Sequence, residues 1–316
     1  MALEPVAVRP DGYDISKDHL DVHRLRGGTA ARFSNDALGF DAFRGWLGRA
    51  CPAVVVYEAT GAYHAAFERR LGAVLPLCKV NPLQARRFAQ AQGTRAKTDT
   101  VDARVLAAMG GALRLEPDKP KSETAFDLKE LRVEREALVR ERTALLTRLK
   151  TLKLGVTLRL GRLRLRLVER QLALIEAEIA ARIAADKTLA RTKEILCSIP
   201  GLGAVGSAAV LIEMPEIGTL SAKRCASLAG LAPMARESGR WRGQAHIQGG
   251  RHSLRHALYM PALSACRHNP DLARKYQALR DKGKPAKLAL TAIMRSLLEL
   301  ANALVKADRV WTQAAP

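Results

Sequence analysis

The pattern of hydrophobic and polar positions changes along the chain and distinguishes three regions. Residues 1–112 combine short alternating or β-branched runs with segments in which apolar residues recur at helical spacing. This pattern predicts strands at 19–25, 31–34, 53–60 and 75–81, and helices at 36–49, 62–73, 83–92 and 99–109. Because strands come first and then alternate with helices, we expect a mixed sheet covered by helices.

A seven-residue repeat of leucine marks the segment from 121 to 195. The repeat has two series, Leu131, Leu138, Leu145 and Leu152, then Leu158, Leu165, Leu172 and Ile179. The spacing predicts two long helices in a coiled-coil hairpin or dimerising arm, with the turn at Gly155 and Gly161. A spacer helix packed on its own domain remains an alternative, and residues 158–167 also fit a strand by their period of two.

The last part of the chain, 196–316, has mainly helical spacing and is broken by a Gly- and Arg-rich loop at 234–251. We therefore expect an α/β part followed by an all-α part. The predicted domains are 1–115, an arm at 116–192 and a helical domain at 193–316.

Composition indicates the kind of partner. The 316 residues carry 52 Lys and Arg against 31 Asp and Glu, a net charge of +21 with a pI near 10.3. So large a positive field favours a polyanion, most often a nucleic acid. The hydrophobic fraction of 48% excludes wholesale disorder, and the aromatic fraction of 4% argues against a series of base-stacking platforms.

Other features indicate where the protein works. The five cysteines form no C-x-x-C pair and have no metal-ligand spacing, so we expect reduced thiols in the cytoplasm and no structural zinc. The N-terminus has no basic flank followed by an apolar stretch, so we expect no signal peptide. No apolar run approaches the roughly 18–20 residues of a membrane span, so we expect no membrane partner.

Four acids in the first region could bind metal. Glu58 ends the apolar strand, Asp14 follows Gly12, and Asp99 and Asp102 lie three residues apart on one face of a predicted helix. A carboxylate at the carboxyl end of a buried strand lies at the rim of a sheet, where ligands bind. If the four converge, they form a set of hard oxygen ligands for Mg²⁺ or Mn²⁺, and two such ions can act on a phosphodiester.

Each of these acids also has a simpler explanation. Asp99 could complement a helix dipole, and Asp14 could be a surface turn residue. Glu58 is the hardest to explain in this way, because an acid at the end of an apolar strand must find a partner or a metal.

The sequence SIPGLGAVGSAAVL at 198–211 resembles a helix-hairpin-helix. In that motif the turn, here Gly201 and Gly203, offers backbone N–H groups to a phosphate at a helix N-terminus without base preference. An ordinary tight turn between two helices is the alternative.

The loop at 230–263 places Ser238 among several arginines, which are Arg236, Arg240, Arg242, Arg251 and Arg255. Guanidinium groups can hold a phosphate and stabilise the charge of a pentacovalent phosphorus, so that the serine attacks a phosphodiester. The residues by themselves favour a simpler interpretation, in which the loop grips the DNA backbone and Ser238 is a turn residue.

Several motifs occur in a fixed order and together resemble one family. They are G-x-D-I-S-K (12–17), Y-E-A-T-G-A-Y (57–63), K-V-N-P (79–82), R-A-K-T-D-T-V-D-A-R (95–104), I-P-G-L-G (199–203), G-L-A-P (230–233), E-S-G (237–239) and L-R-H-A-L-Y-M-P-A (254–262). The chain resembles the DEDD-type transposases of bacterial insertion sequences, family number one-hundred-and-ten. These are RNA-guided recombinases, and the resemblance covers nearly the whole chain.

The resemblance implies an N-terminal domain like the Holliday-junction resolvase RuvC, with an RNase-H-like fold. Its four acids correspond to Asp14, Glu58, Asp99 and Asp102, which implies Mg²⁺ or Mn²⁺ as cofactor. Lys97 and Arg104 flank two of these acids, and we expect both to contact nucleic acid.

The resemblance also implies roles for the rest of the chain. A coiled-coil segment helps assembly into a dimer or tetramer, and the C-terminal domain supplies the nucleophile, Ser238. The acids of one subunit meet the serine of another. A non-coding bridge RNA pairs with donor and target DNA.

Two points stay open in the sequence. Arg9, Pro10 and Asp11 interrupt the first strand, so it could be short or displaced, and Asp11 is a possible rival of Asp14. A metal-dependent junction nuclease that uses water, and a non-catalytic nucleic-acid-binding protein, are the alternative functions.

Overall fold

The computed structural model describes residues 10–25, 27–48, 52–58, 61, 63–94, 98–235, 237–239, 241–243 and 245–313. The chain divides into two compact units between Phe126 and Asp127. This boundary falls inside the arm of the three-domain division, which stays a prediction.

The first unit contains a mixed sheet, as predicted, and this sheet has five strands. Its strands are β1 (Pro10–Ile15), β2 (His19–Arg24), β3 (Ala30–Ser34), β4 (Val54–Glu58) and β5 (Leu77–Val80). The order in the sheet is β3-β2-β1-β4-β5. The first three strands pair antiparallel, whereas β4 runs parallel to both β1 and β5. A mixed sheet of this kind is consistent with an RNase-H-like domain.

Among the residues described in this unit, four helices cover the sheet, namely α1 (Ala37–Leu47), α2 (His64–Leu71), α3 (Pro82–Ala91) and α4 (Asp99–Leu113). Side chains alternate between the two faces of β4. Val55 and Tyr57 pack in the core that includes the aromatic residues of α1 and α2, whereas Val54 and Val56 pack with Leu106 of α4. The sheet is therefore buried on both faces.

The first strand is neither short nor displaced. β1 has six residues and lies at the centre of the sheet. Pro10 is its first residue, in register with Val54 of β4. A proline at the first position of a strand is tolerated, which explains why it does not interrupt this one.

The second unit begins with two long helices, α5 (Glu123–Leu149, which starts in the first unit) and α6 (Gly155–Ala185). Ion pairs join them, namely Asp127–Arg182, Arg135–Glu176 and Arg142–Glu169. Residue numbers rise along one helix as they fall along the other, so the two helices form an antiparallel hairpin. Leu138, Leu145 and Val168 pack between them. The hairpin is confirmed, whereas coiled-coil packing and dimerisation stay predictions.

The glycine positions correct the expected turn. Gly155 begins α6, but Gly161 lies inside that helix. A Cβ at Gly161 would approach Leu149 Cδ2 to 2.7 Å. Gly161 therefore allows the two helices to come close near the tip of the hairpin. The segment 158–167 is helical throughout.

The rest of the second unit is helical, as expected. It contains α7 (Lys187–Ser198), α8 (Ala204–Glu213), α9 (Ala222–Leu228), α10 (His252–His268), α11 (Pro270–Asp281) and α12 (Ala286–Lys306). The loop holds four two-residue strands, β6 (Pro233–Met234), β7 (Glu237–Ser238), β8 (Trp241–Arg242) and β9 (His246–Ile247). One hydrophobic core unites the helices of this unit.

Contrary to the sequence-based expectation, α12 is long and apolar enough by composition to cross a membrane. Arg295 and Glu299, which form an ion pair, interrupt its apolar run, and for this reason the sequence did not show an uninterrupted apolar segment of this length. Half of its most apolar 18-residue window is buried inside the protein. Ile293, Leu297 and Ala301 belong to the core of the second unit, so the burial is that of a core helix.

Candidate active site

Asp14 and Glu58 are placed by two adjacent parallel strands. Tyr13 of β1 is in register with Tyr57 of β4, and both tyrosines pack in the core on the side of α1 and α2. Since neighbouring residues of a strand point to opposite faces, the next residues, Asp14 and Glu58, lie on the face that α4 covers.

Gly12 allows α4 to lie directly on β1. A Cβ at this position would be 2.0 Å from the carbonyl oxygen of Ala103 and 2.2 Å from the amide nitrogen of Ala107. The two backbones therefore come together only because Gly12 has no side chain. This contact brings the first turn of α4, which carries Asp99 and Asp102, towards Asp14.

The charges of these acids act on one another. The pKa of Asp14 is raised from 3.8 to about 6, first by burial and then by the negative charges of Asp99, Asp102, Glu58 and Asp21. All four acids predicted from the sequence thus share one electrostatic environment. Their catalytic and metal-binding roles stay predictions.

Asp21 and Arg32 are two members of this environment that the sequence analysis missed. Asp21 is the cross-strand neighbour of Asp14 and only 5% exposed. Arg32 of β3 donates two hydrogen bonds of 3.0 Å to the Asp21 carboxylate, and its Nη2 lies 3.8 Å from Asp99 Oδ2. Both residues join the site through strand register, because Asp21 is in register with both Asp14 and Arg32, and the sequence alone does not give this register.

Asp11, the possible rival of Asp14, lies on the other face of the sheet. The hydroxyl of Tyr13 donates a 3.4 Å hydrogen bond to Asp11, and the Arg24 guanidinium is 3.7 Å away. Burial raises the pKa of Asp11 to about 6 although Arg24 and Tyr13 act in the opposite direction. The geometry favours Asp14 as the acid that faces α4.

The acids fit a divalent metal by their chemistry. Carboxylate oxygens are the ligands that Mg²⁺ and Mn²⁺ prefer, and a cation would relieve the repulsion that, in addition to burial, raises the pKa of Asp14. Within the described part of the chain, no three His, Cys, Asp or Glu side chains are grouped closely enough to hold an ion together. The carboxylates are therefore neighbours without being a preassembled cage.

Ser238 lies in a small hairpin of the second unit. It ends β7 and is in register with Trp241 of β8, with Gly239 at the turn in a left-handed conformation (φ 56°). Ser238 is exposed, so its hydroxyl is accessible. Arg236 and Arg240 lie outside the described residues, and for Arg242 the structure describes the strand only.

Two other arginines of this loop are engaged by the protein itself. Arg251 forms hydrogen bonds of 2.8 and 2.6 Å with the Glu216 carboxylate and donates to the Glu213 carbonyl. Arg255 donates a 2.8 Å hydrogen bond to the carbonyl of Gly249. Both stabilise the base of the loop, and phosphate binding by either stays a prediction.

The predicted phosphate-binding turn joins α7 to α8. A Cβ at Gly201 would lie 2.5–2.6 Å from Ala265 of α10, so this glycine serves close packing. Gly203 is the N-cap of α8, and a Cβ there would meet nothing within 4 Å. Of the two glycines, Gly203 therefore has the open position that a phosphate contact needs, and the helix-hairpin-helix role stays a prediction.

Of the two basic residues that flank acids of α4 in the sequence, the structure describes only Arg104. Lys97 lies outside the described residues. Arg104 is exposed on α4 and, together with His23, lines an open groove of about 500 Å³. The charge of Arg104 adds to burial in lowering the pKa of His23. Nucleic-acid binding by either basic residue stays a prediction.

Comparison with known proteins gives two matches to family models. Residues 12–154 match a transposase model of the DEDD IS110 type, and residues 193–277 match the model of the IS116/IS110/IS902 transposase family. Together the matched segments cover more than half of the chain, and they include all four acids and Ser238.

Relatives agree with this result. Pilin gene-inverting proteins of Moraxella lacunata and Moraxella bovis are each 29% identical, over 94% of this chain and 96% of their own. An uncharacterised 44.8 kDa protein of insertion element IS116 from Streptomyces clavuligerus is 35% identical over 39% of this chain and 31% of its own. With the family models, these likenesses establish that the chain belongs to the IS110 family of insertion-sequence transposases.

Proposed function

We propose that this transposase cuts and rejoins DNA through a phosphoserine ester at Ser238, assisted by divalent metal at Asp14, Glu58, Asp99 and Asp102. The observation that best supports the proposal is that the negative charges of Asp99, Asp102, Glu58 and Asp21 add to burial in raising the pKa of Asp14, so these acids are near one another. Neighbouring carboxylates repel one another and also repel a polyanion that approaches them, even in a protein with a net charge of +21. A bound cation would remove both repulsions.

The acids would hold Mg²⁺ or Mn²⁺. When bound, such an ion supplies Lewis-acid polarisation of the scissile phosphate and neutralises charge. Asp14 and Glu58 lie on the central strands β1 and β4, whereas Asp99 and Asp102 lie in the first turn of α4. Two carboxylates from the sheet and two from the helix would hold the ion to which the phosphate in turn binds.

Ser238 would perform the covalent step. Its Oγ attacks the phosphorus, an Oγ–P bond forms, and the P–O bond to one DNA strand end breaks. The hydroxyl proton passes to a base or to solvent, and the departing strand oxygen takes up a proton. Because the phosphate remains esterified, a new strand end can reverse the step without ATP.

The proposed partners are donor DNA, target DNA and a non-coding guide RNA that pairs with both. Guide pairing makes base reading by the protein unnecessary, in keeping with the small aromatic fraction and large positive charge. We also propose that the protein works in the cytoplasm as a homo-oligomer, in which the acids of one subunit and the serine of another act on the same phosphate. The relatives named for pilin gene inversion fit a recombinase.

The test uses purified protein with its guide RNA and labelled donor and target DNA. Ser238→Ala should abolish protein–DNA adducts on denaturing gels and retain DNA binding, and Glu58→Gln should abolish strand cutting. Asp11→Asn is the matched control, because it removes a buried carboxylate of similarly raised pKa on the opposite face. Adducts that persist in Ser238→Ala would contradict the nucleophile, and free ends without adducts in the unaltered protein would favour the junction nuclease.

A further inference from the structure

Charge is distributed unevenly along the helical hairpin. From 142 to 168 the sequence contains no Asp or Glu, whereas acids and bases alternate on both sides of that segment. Seven basic residues lie near the tip of the hairpin, and all of them are exposed. They are Arg148, Lys150, Lys153, Arg159, Arg162, Arg164 and Arg166. The tip is therefore purely basic, in contrast to the rest of the hairpin.

In the part of the chain that the structure describes, these basic residues take no part in the ion pairs that join the two helices. The ion pairs between the two helices lie below the tip, the last being Arg142 with Glu169. Among the described residues, none of the seven forms an ion pair with a carboxylate. An accumulation of unpaired positive charge costs free energy through repulsion, which a polyanionic partner would relieve.

Four arginines form one row along α6. Arg159, Arg162, Arg166 and Arg170 are spaced by three, four and four residues, so they share a side of the helix. The row is about 16 Å long at about 1.5 Å per residue. One strand of B-form DNA carries about five phosphates over that length.

The row is distinct from the apolar surfaces of the same helix. Leu165, Val168 and Leu172 face α5, and a second row of exposed residues, Val156, Leu160, Leu163, Leu167 and Leu174, lies on the opposite side of α6. At about 100° per residue, the arginine row falls between these two apolar rows. Arg164 lies on the other flank.

We propose that Arg159, Arg162, Arg166 and Arg170 bind the sugar-phosphate backbone of a nucleic-acid duplex. Charge complementarity favours a nucleic acid, since three of the four arginines lie in the purely basic tip, and this inference rests on the proposed function. Guanidinium groups hold phosphates bidentately, so these contacts would position the duplex without reading its bases.

The test compares two triple variants of equal net charge. One is Arg159→Gln with Arg162→Gln and Arg166→Gln, which keeps good helix formers on α6. The control replaces three exposed lysines outside the hairpin, Lys187, Lys223 and Lys282, with glutamine. Binding to a 30-base-pair DNA duplex and to an RNA duplex of the same sequence is measured by fluorescence anisotropy in EDTA at several salt concentrations.

The arginine variant should reduce the slope of log K against log salt by about 2–3, since each phosphate contact contributes about 0.9. The control should change it by less than about 1. The duplex whose slope of log K against log salt decreases more in the arginine variant is the one that the arginine row binds. Equal slopes for the two variants would overturn the proposal, as would an arginine variant that changes only the oligomeric state or only the binding to anionic phospholipid vesicles.

The result is separable from the catalytic proposal. Binding in EDTA requires neither metal nor strand cleavage, so a failure of the arginine row leaves the roles of Ser238 and the acids untouched. Conversely, an inactive site with an intact salt slope would leave the row established and contradict only the chemistry.

Discussion

The carbonyl oxygen of Ala103 occupies the space that a side chain at Gly12 would need, 2.0 Å from the position of a Cβ. This approach sets the distance between the central strand β1 and helix α4. Because Asp14 lies two residues after Gly12 and Asp102 immediately precedes Ala103, the contact also sets the relation between acids of the strand and of the helix.

Replacement of Gly12 by alanine should therefore displace α4. The new methyl group would meet backbone atoms on α4, which cannot rotate away, so we expect destabilisation of about 3 kcal/mol or more and loss of activity. Chemical denaturation monitored by circular dichroism would measure the change.

Gly45→Ala is the matched control. Gly45 lies within α1, and a Cβ there would meet nothing within 4 Å. This variant should be neutral or up to about 1 kcal/mol more stable, because alanine is the better helix former. Similar effects of the two substitutions would contradict the role given to Gly12.

Asp14 should make the metal-free protein less stable as pH rises. Its folded-state pKa of about 6 exceeds the ordinary 3.8, so the folded protein retains a proton that the unfolded chain has already lost. Stability contributed by this group is thus present below about pH 4 and is lost as pH rises through about 6. Asp14→Asn removes the effect.

In calorimetry with EDTA, Asp14→Asn should melt a few degrees above the unaltered protein at pH 7.5, and this difference should vanish near pH 4. The same variant should lose the stabilisation that Mn²⁺ gives to the unaltered protein. A gain that is independent of pH would contradict the electrostatic explanation.

Arg32 should compete with a metal for the acids. Its guanidinium binds Asp21 and lies 3.8 Å from Asp99, so Arg32→Gln removes a positive charge beside the proposed ligands. We expect Mn²⁺ to bind about threefold more tightly, as for the loss of a partly screened repulsion. Isothermal titration calorimetry measures the dissociation constant.

Arg24→Gln is the corresponding control, because Arg24 pairs with Asp11 on the opposite face of the same sheet. It should leave the affinity for Mn²⁺ unchanged. Weaker binding in Arg32→Gln would instead mean that Arg32 holds Asp99 in place.

Periodicity and local chemistry predicted most elements of the fold. The apolar run predicted as a strand at 53–60 contains β4, the helix predicted at 36–49 corresponds to α1, and the leucine heptads lie in the two helices of the hairpin. The positions of the four acids at strand and helix ends and the family resemblance placed them near one another, and they do share one electrostatic environment, whereas their joint binding of a metal stays a prediction.

The remainder depended on long-range packing. Pro10 suggested a broken first strand, but its position at the start of β1 removes the conflict. Gly161 suggested a turn, but it lies inside α6, where the absence of a side chain leaves room for Leu149 of the other helix. Asp21 and Arg32 enter the site through strand register, which a single sequence does not specify.

Anomalous diffraction from crystals of the protein soaked in Mn²⁺ would show whether the four acids hold divalent metal. We predict an anomalous peak in contact with carboxylate oxygens of Asp14 and Glu58 and of at least one acid of α4, at about 2.0–2.3 Å. Manganese bound elsewhere, with no peak among these four carboxylates, would contradict this metal-binding role.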